Sequence, residues 1–222
     1  MIIGNGLIAK SFKKKYSYKN EIIFASGYAN SRNKKKSKFS KEIKLLNKII
    51  KKYHRKKIFY FSTLDVLRKK KTNYIIHKKN IEKILRKKKN TYILRLPQVV
   101  GNSKNQFTVY NYLKFNLKRN NKITIYHNYY RNFLDVSDIP LIINKLIKSN
   151  NKSKIINVFC NKSIKVSHLV NLIIKEYKLK NFKFIKNFKK DNFYKNMKKF
   201  QKGNYISFYK KKYYTNLIKK YL

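Results

Sequence analysis

The chain has 222 residues, 42% hydrophobic and 15% aromatic, which suffices for one substantial α/β core and excludes a disordered protein. Lys and Arg number 58 against 8 Asp and Glu, a formal charge of +50 that points to anionic ligands. No apolar run approaches the roughly 20 residues of a membrane span, and the single Cys160 excludes an internal disulfide or a cysteine metal cluster.

The first element is a very short strand, Met1 to Ile3, running into "GNGLIAKSF". Gly-x-Gly-x-x-Ala between a strand and an apolar-periodic stretch is the order that a dinucleotide site requires. Gly4 permits a tight turn, Gly6 lets backbone approach a pyrophosphate, and Ala9 lets helix and strand pack closely. The following helix start, Leu7 and Ile8, offers free N–H groups to an anion. An ordinary strand-to-helix turn has the same order. Because this turn occupies the place of a signal peptide, the expected compartment is the cytoplasm.

"EIIFASG" (21–27) reads as a buried strand ending at Gly27, and "SRNKKKSK" (31–38) as a surface loop. "FSKEIKLLNKIIKKY" (39–53) sets Ile43, Leu46, Ile49 and Ile50 on one helical face. "KIFYFST" (57–63) is a strand, a helix runs from about Tyr74 to Lys88, and "TYILRLPQVVG" (91–101) is a strand and loop. Strands alternating with helices of this length predict a parallel sheet with helices on both faces. A helix near 107–118 and a short strand at 122–126 follow. Next, Ser137 or Asp138 can cap a helix carrying Pro140 in its first turn. "KIINVFC" (154–160) is a strand that leaves Cys160 as a small buried hydrophobe, and 166–177 is an amphipathic helix. Residues 189–212 read as irregular, and 213–222 as a terminal helix.

Chemistry gathers at the second strand end. Ser62 and Thr63 close "KIFYFST", and Tyr74 and Lys78 follow, four apart on one helical face. An ammonium beside a phenol favours phenolate and lowers the tyrosine pKa from near 10 toward neutrality. A threonine hydroxyl can polarise the carbonyl or alcohol being converted. Together these roles suit hydride transfer beside a nicotinamide bound over the glycine turn. His77 reads as a surface residue.

In this order the motifs resemble the NAD-dependent epimerase/dehydratase family, the extended short-chain dehydrogenase/reductases acting on nucleotide sugars. The resemblance runs from Met1 to about Tyr177. It is carried by "GNGLIA", "FASG", "STLDVL", "YIIHKKNIE", "LRLPQVVG" and "RNFLDVSD". It settles the opening turn in favour of phosphate and implies a Rossmann-like α/β fold with a parallel sheet. Thr63, Tyr74 and Lys78 take catalytic roles. Gly4, Gly6, Leu7, Ile8, Ala9, Ser26, Gly27, Tyr74 and Lys78 hold NAD or NADP. Arg131, in the segment like Arg-Asp-Phe-x-x-Val-x-Asp, meets the substrate phosphates. The implied activity is epimerisation, dehydration or keto reduction of a nucleotide sugar, commonly for surface polysaccharide, and many members pair as homodimers.

Two strand–helix units that the family normally has after the glycine turn are missing here, so the expected sheet is shortened. The acid that grips the adenosine ribose is also missing, and Ser26 or Arg32 could meet a 2′-phosphate instead. The expected organisation is a cofactor-binding core over 1–101, then sheet completion and a small substrate-binding portion over 102–222, in one continuous domain. The rival expectation is a catalytically lapsed protein on the same scaffold that binds nucleic acid or another polyanion through its basic surface. Basic residues spread along the whole chain, together with the AT-rich-codon residues Lys, Asn, Ile, Tyr and Phe, favour compositional drift plus anionic ligands over dedicated nucleic-acid binding.

Overall fold

In the computed structural model, residues 1–12, 18–28, 36–69, 71–103, 105, 108–149, 154–180, 183–208 and 211–221 are described. The chain divides into two compact units. The first holds Met1–Pro97, Val136–Val158 and Gly203–Tyr205; the second holds Gln98–Asp135, Phe159–Lys202 and Ile206–Leu222. Arg32 and most of the 31–38 segment lie outside the described residues, while its last residues open a helix instead of a loop.

The elements in order are β1 (Ile2–Ile3), α1 (Leu7–Phe12), β2 (Glu21–Phe24), α2 (Lys36–Lys52), β3 (Lys57–Thr63), α3 (Asn73–Arg86) and β4 (Thr91–Leu96). Then come β5 (Gln98–Val100), α4 (Val109–Lys118), β6 (Ile123–Arg131), β7 (Phe133–Asp135), α5 (Asp138–Lys148), β8 (Ile155–Cys160) and β9 (Ile164–Lys165). The chain ends with α6 (Val166–Tyr177), β10 (Phe184–Asp191), β11 (Tyr205–Phe208) and α7 (Tyr213–Tyr221).

A six-stranded sheet has the order β1-β2-β3-β4-β8-β11, and β1 to β4 with most of β8 belong to the first unit. Neighbours from β1 to β8 run parallel, and the bonds Asn157 N–H to Asn204 O and Asn161 N–H to Phe208 O keep β11 parallel to β8. Parallel strands need cover on both faces, and β3 shows it, with five consecutive residues, Ile58 to Ser62, buried. Alternate side chains then sort to opposite faces. Ile22, Phe24, Ile58, Tyr60 and Ile93 pack with Leu46, Ile49 and Ile50 of α2 and Ile81 and Leu85 of α3. On the other face Phe12 of α1 meets Phe61, and α1 packs on α5.

The second unit holds the sheet β10-β6-β9 and the parallel pair β5-β7. Asn132 is fully buried between β6 and β7 and clamps Cys160, donating from Nδ2 to its carbonyl at 2.7 Å and accepting its N–H at 3.0 Å. The expected strand at 122–126 is longer, reaching Arg131, and the segment expected to be irregular contains part of β10 and all of β11. In β10 the lysines hide any two-residue alternation. No helix among the described residues is long and apolar enough to cross a membrane.

Candidate active site

At the carboxyl end of β1 the chain turns through Gly4 at φ +120°, a conformation that L side chains rarely adopt. A Cβ there would stand 2.5 Å from the Ala25 carbonyl oxygen, so the turn lies directly against the end of β2. Gly6 is the opposite case: a Cβ there would meet nothing within 4 Å. Its carbonyl accepts from Lys10 N–H, so the N–H groups of Leu7, Ile8 and Ala9 precede the first bond of the helix. Ala9 is fully buried, as close packing of α1 requires. One glycine is needed for packing and the other leaves open space. Both fit a backbone cradle for an anionic cofactor.

The contact chain continues. Ala25 and Ser26 lead to Gly27, where a Cβ would lie 3.0 Å from Lys78 Nζ and 3.2 Å from Glu42 Oε1. Lys78 arrives from α3, whose first turn is held by Thr72 Oγ1 accepting the Ile75 N–H. Its ammonium donates to Tyr60 Oη at 2.7 Å and Glu42 Oε1 at 3.0 Å, and lies 5.8 Å from the Tyr74 ring centre. Glu42 also accepts from Tyr60 Oη at 2.7 Å, Tyr28 N–H at 2.8 Å and His77 Nε2 at 2.8 Å. The His77 ring stacks on Phe39 with centres 4.4 Å apart. His77 is therefore buried, contrary to the surface position expected for it.

Burial alone would raise the Glu42 carboxyl. The His77 hydrogen bond, the Lys78 charge and the Tyr28 and Tyr60 donors overturn this and bring it down to about 2. Burial pulls the Lys78 ammonium below the usual lysine range, against the opposing pull of Glu42. Tyr74 goes the other way from the sequence expectation. Burial, with the charges of Asp65 and Glu42, holds its phenol well above the usual tyrosine range. The physical reason is burial of the phenol, to which the Asp65 and Glu42 carboxylates add, so the Lys78 ammonium 5.8 Å from the ring does not bring the expected fall. Tyr74 is a protonated phenol at neutral pH.

Ser62 and Thr63 part company at the end of β3. Ser62 Oγ donates to Glu82 Oε1 at 2.7 Å, and Glu82 is gripped by Arg95 through Nε at 3.0 Å and Nη2 at 2.5 Å. Thr63 is half-buried, its Oγ1 accepting the Asp65 N–H at 3.2 Å. In the second unit, Arg131 Nη1 donates to Asp191 at 2.9 Å, and its guanidinium lies 4.4 Å from the Tyr129 ring centre. A cavity of about 450 Å³ there is lined by Tyr130, Ser163, Lys165, His168, Tyr213 and Tyr214, among others.

Glu42 and Tyr60 were not singled out from the sequence, and His77 was read only as a surface residue, yet a signal for Glu42 existed. It stands three residues after Phe39 and four before Leu46, both buried, so helical spacing puts a carboxylate on the core face of α2.

No protein-family profile matches the sequence, and no curated protein matches it. Solved structures do. RMD from Pseudomonas aeruginosa, complexed with NADPH, matches with a TM-score of 0.63 at 11% identity, over 99% of this chain and 82% of its own. The dTDP-glucose 4,6-dehydratase of Bacillus anthracis, in complex with NAD, gives 0.63 at 14%, over 83% and 67%. WbmG of Bordetella bronchiseptica, in complex with NAD and UDP, gives 0.64 at 14%, over 90% and 70%. These likenesses show the fold, a Rossmann-like parallel sheet shared with these NAD- and NADPH-bound proteins. In this fold Gly4 lies against Ala25, and Gly27 against Lys78 and Glu42.

Proposed function

We propose that the chain is an NAD(P)-dependent enzyme that epimerises, dehydrates or reduces a nucleotide-activated sugar. One observation carries the reading: an unbroken line of close contacts from Gly4 through Ala25 and Gly27 to Lys78, at the carboxyl ends of parallel strands, where this class of sheet binds ligands. NAD or NADP would rest on Gly4, Gly6, Leu7, Ile8 and Ala9, with Ser26, Gly27, Tyr74 and Lys78 farther along. The nicotinamide supplies hydride acceptance or donation.

The remaining work falls to side chains. Tyr74 exchanges a proton with the sugar oxygen at its Oη, and as a phenol it is set first to donate one. Thr63 keeps its acceptor lone pair on Asp65 N–H and directs its own proton at the reacting oxygen. Lys78, held by Glu42 and Tyr60, orients the ribose. Arg131 takes the substrate diphosphate through paired, charge-assisted bonds, exchanging Asp191 for it. The cavity of Tyr130, Lys165, His168 and Tyr214 supports a nucleotide-sized anionic ligand, with rings and cations among its lining.

Calorimetry of wild type and Arg131→Ala, with free UDP and with NADH, tests this. The variant should lose roughly 10- to 150-fold in UDP affinity, equivalent to about 1.5–3 kcal/mol, and keep its NADH affinity. Equal losses for both ligands would mean general attraction to the +50 chain and would remove the nucleotide-sugar assignment.

A further inference from the structure

Strand β10 of the second unit is exposed on both of its faces. Phe184, Ile185 and Phe188 are 43%, 47% and 76% exposed, and Lys183, Lys186, Lys189 and Lys190 between and beside them are exposed as well. A half-buried strand would hide either Phe184, Lys186 and Phe188 or Ile185 and Lys189. β10 pairs in parallel with β6, and the register slips between Asn187 and Lys190, so Phe188 and Lys189 sit at the irregularity. Asn187 stands opposite Tyr126, whose ring stacks on Tyr129 with centres 4.8 Å apart. The result is an open sheet surface of rings and ammonium groups.

Exposed aromatic area of this extent marks an interaction surface. Its charge selects the occupant. A second copy would bring +50 against +50, and an apolar protein face would leave the lysines unmatched. Single-stranded nucleic acid offers both what the rings need, unpaired π faces, and what the lysines need, phosphates. We propose that the β10-β6 face binds single-stranded nucleic acid, with Phe184 and Phe188 stacking on bases and Lys186, Lys189 and Lys190 meeting the backbone. None of the five side chains named here has a part in the enzymatic reading, although Arg131 and Asp191 of that reading lie at the far ends of the same two strands.

Fluorescence anisotropy of the full chain tests it, with labelled dT and rU oligomers of roughly twenty nucleotides, a duplex of the same length, and inorganic polyphosphate. Phe184→Ala/Phe188→Ala, which removes two stacking contacts, should weaken single-strand binding by at least about 30-fold and leave polyphosphate binding unchanged. Lys186→Gln/Lys189→Gln/Lys190→Gln should reduce the salt slope by about 2, at roughly 0.7 per phosphate contact. Ultraviolet crosslinking of the wild-type chain to the dT oligomer should map to β10, a readout that needs no variant. Comparing dT with rU affinity identifies which nucleic acid the face prefers. Single-strand affinity indifferent to the two rings, duplex bound as tightly as single strand, or crosslinks confined to other segments would each overturn the proposal. So would a wild-type dimer that dissociates on Phe188→Ala, since the face would then be a protein interface.

Discussion

Four donors converge on the Glu42 carboxylate, and its side chain is 2% exposed. Its folded value of about 2 lies below the ordinary 4.5. The stability it contributes is therefore present in full above about pH 4.5 and is lost as pH falls through about 2. A shift of this size corresponds to roughly 3 kcal/mol. Denaturant titrations across that pH window should show the loss in wild type, and Glu42→Gln should flatten it while starting on the order of 3 kcal/mol less stable. A wild-type curve as flat as the variant's would mean that another acid dominates. Glu42 also helps to hold the Tyr74 phenol up, so Glu42→Gln should move the alkaline limb of any turnover profile to lower pH. Tyr74→Phe keeps the ring's packing and removes the proton. Its turnover should fall at least about 100-fold with NADH binding retained, as loss of a positioned acid–base group requires; milder loss would assign the proton to another group.

The elements that build the site were legible to different degrees. β3 and α6 begin and end where their apolar pattern predicts, and α3 begins within a residue of expectation. β10 was unreadable because exposed lysines and phenylalanines on both faces leave no period of two. The glycine turn was legible as a motif, but the sequence did not separate its two glycines. At Gly4 an alanine would need φ near +120° and a Cβ inside the Ala25 carbonyl. Gly4→Ala should therefore cost about 1–3 kcal/mol in folding stability. At Gly6 the same change meets open space. Gly6→Ala should fold as wild type in thermal melts yet bind NADH more weakly, because the new methyl occupies the room left for phosphate oxygens. Equal NADH affinity for Gly6→Ala and wild type would remove the turn from the cofactor site. Tyr74 and Lys78 were legible by order and spacing, whereas the Glu42 and Tyr60 around them come from α2 and β3. Only the packed sheet brings those together.

Across the molecule, the few acids sit where geometry uses them. Ion pairs hold Glu42, Asp65, Glu82, Asp135, Glu176 and Asp191. Two of those, Glu42 and Glu82, have side chains 2% exposed and are little affected by salt. The 58 basic residues far outnumber these partners, so the remaining positive charge repels itself over the surface. Raising ionic strength shrinks the screening length from about 10 Å at 0.1 M to about 3 Å at 1 M, which weakens that repulsion while leaving the buried pairs intact. Thermal stability should therefore increase with sodium chloride over this range. Relief of 1 kcal/mol would appear as a rise of roughly 2–4 °C for a chain of this length. Choline chloride at equal ionic strength should produce the same rise, since screening depends on charge and not on the identity of the cation. Melting temperatures that fall with salt would show that exposed ion pairs such as Lys219–Glu176 outweigh self-repulsion, and that the +50 charge is no burden on folding.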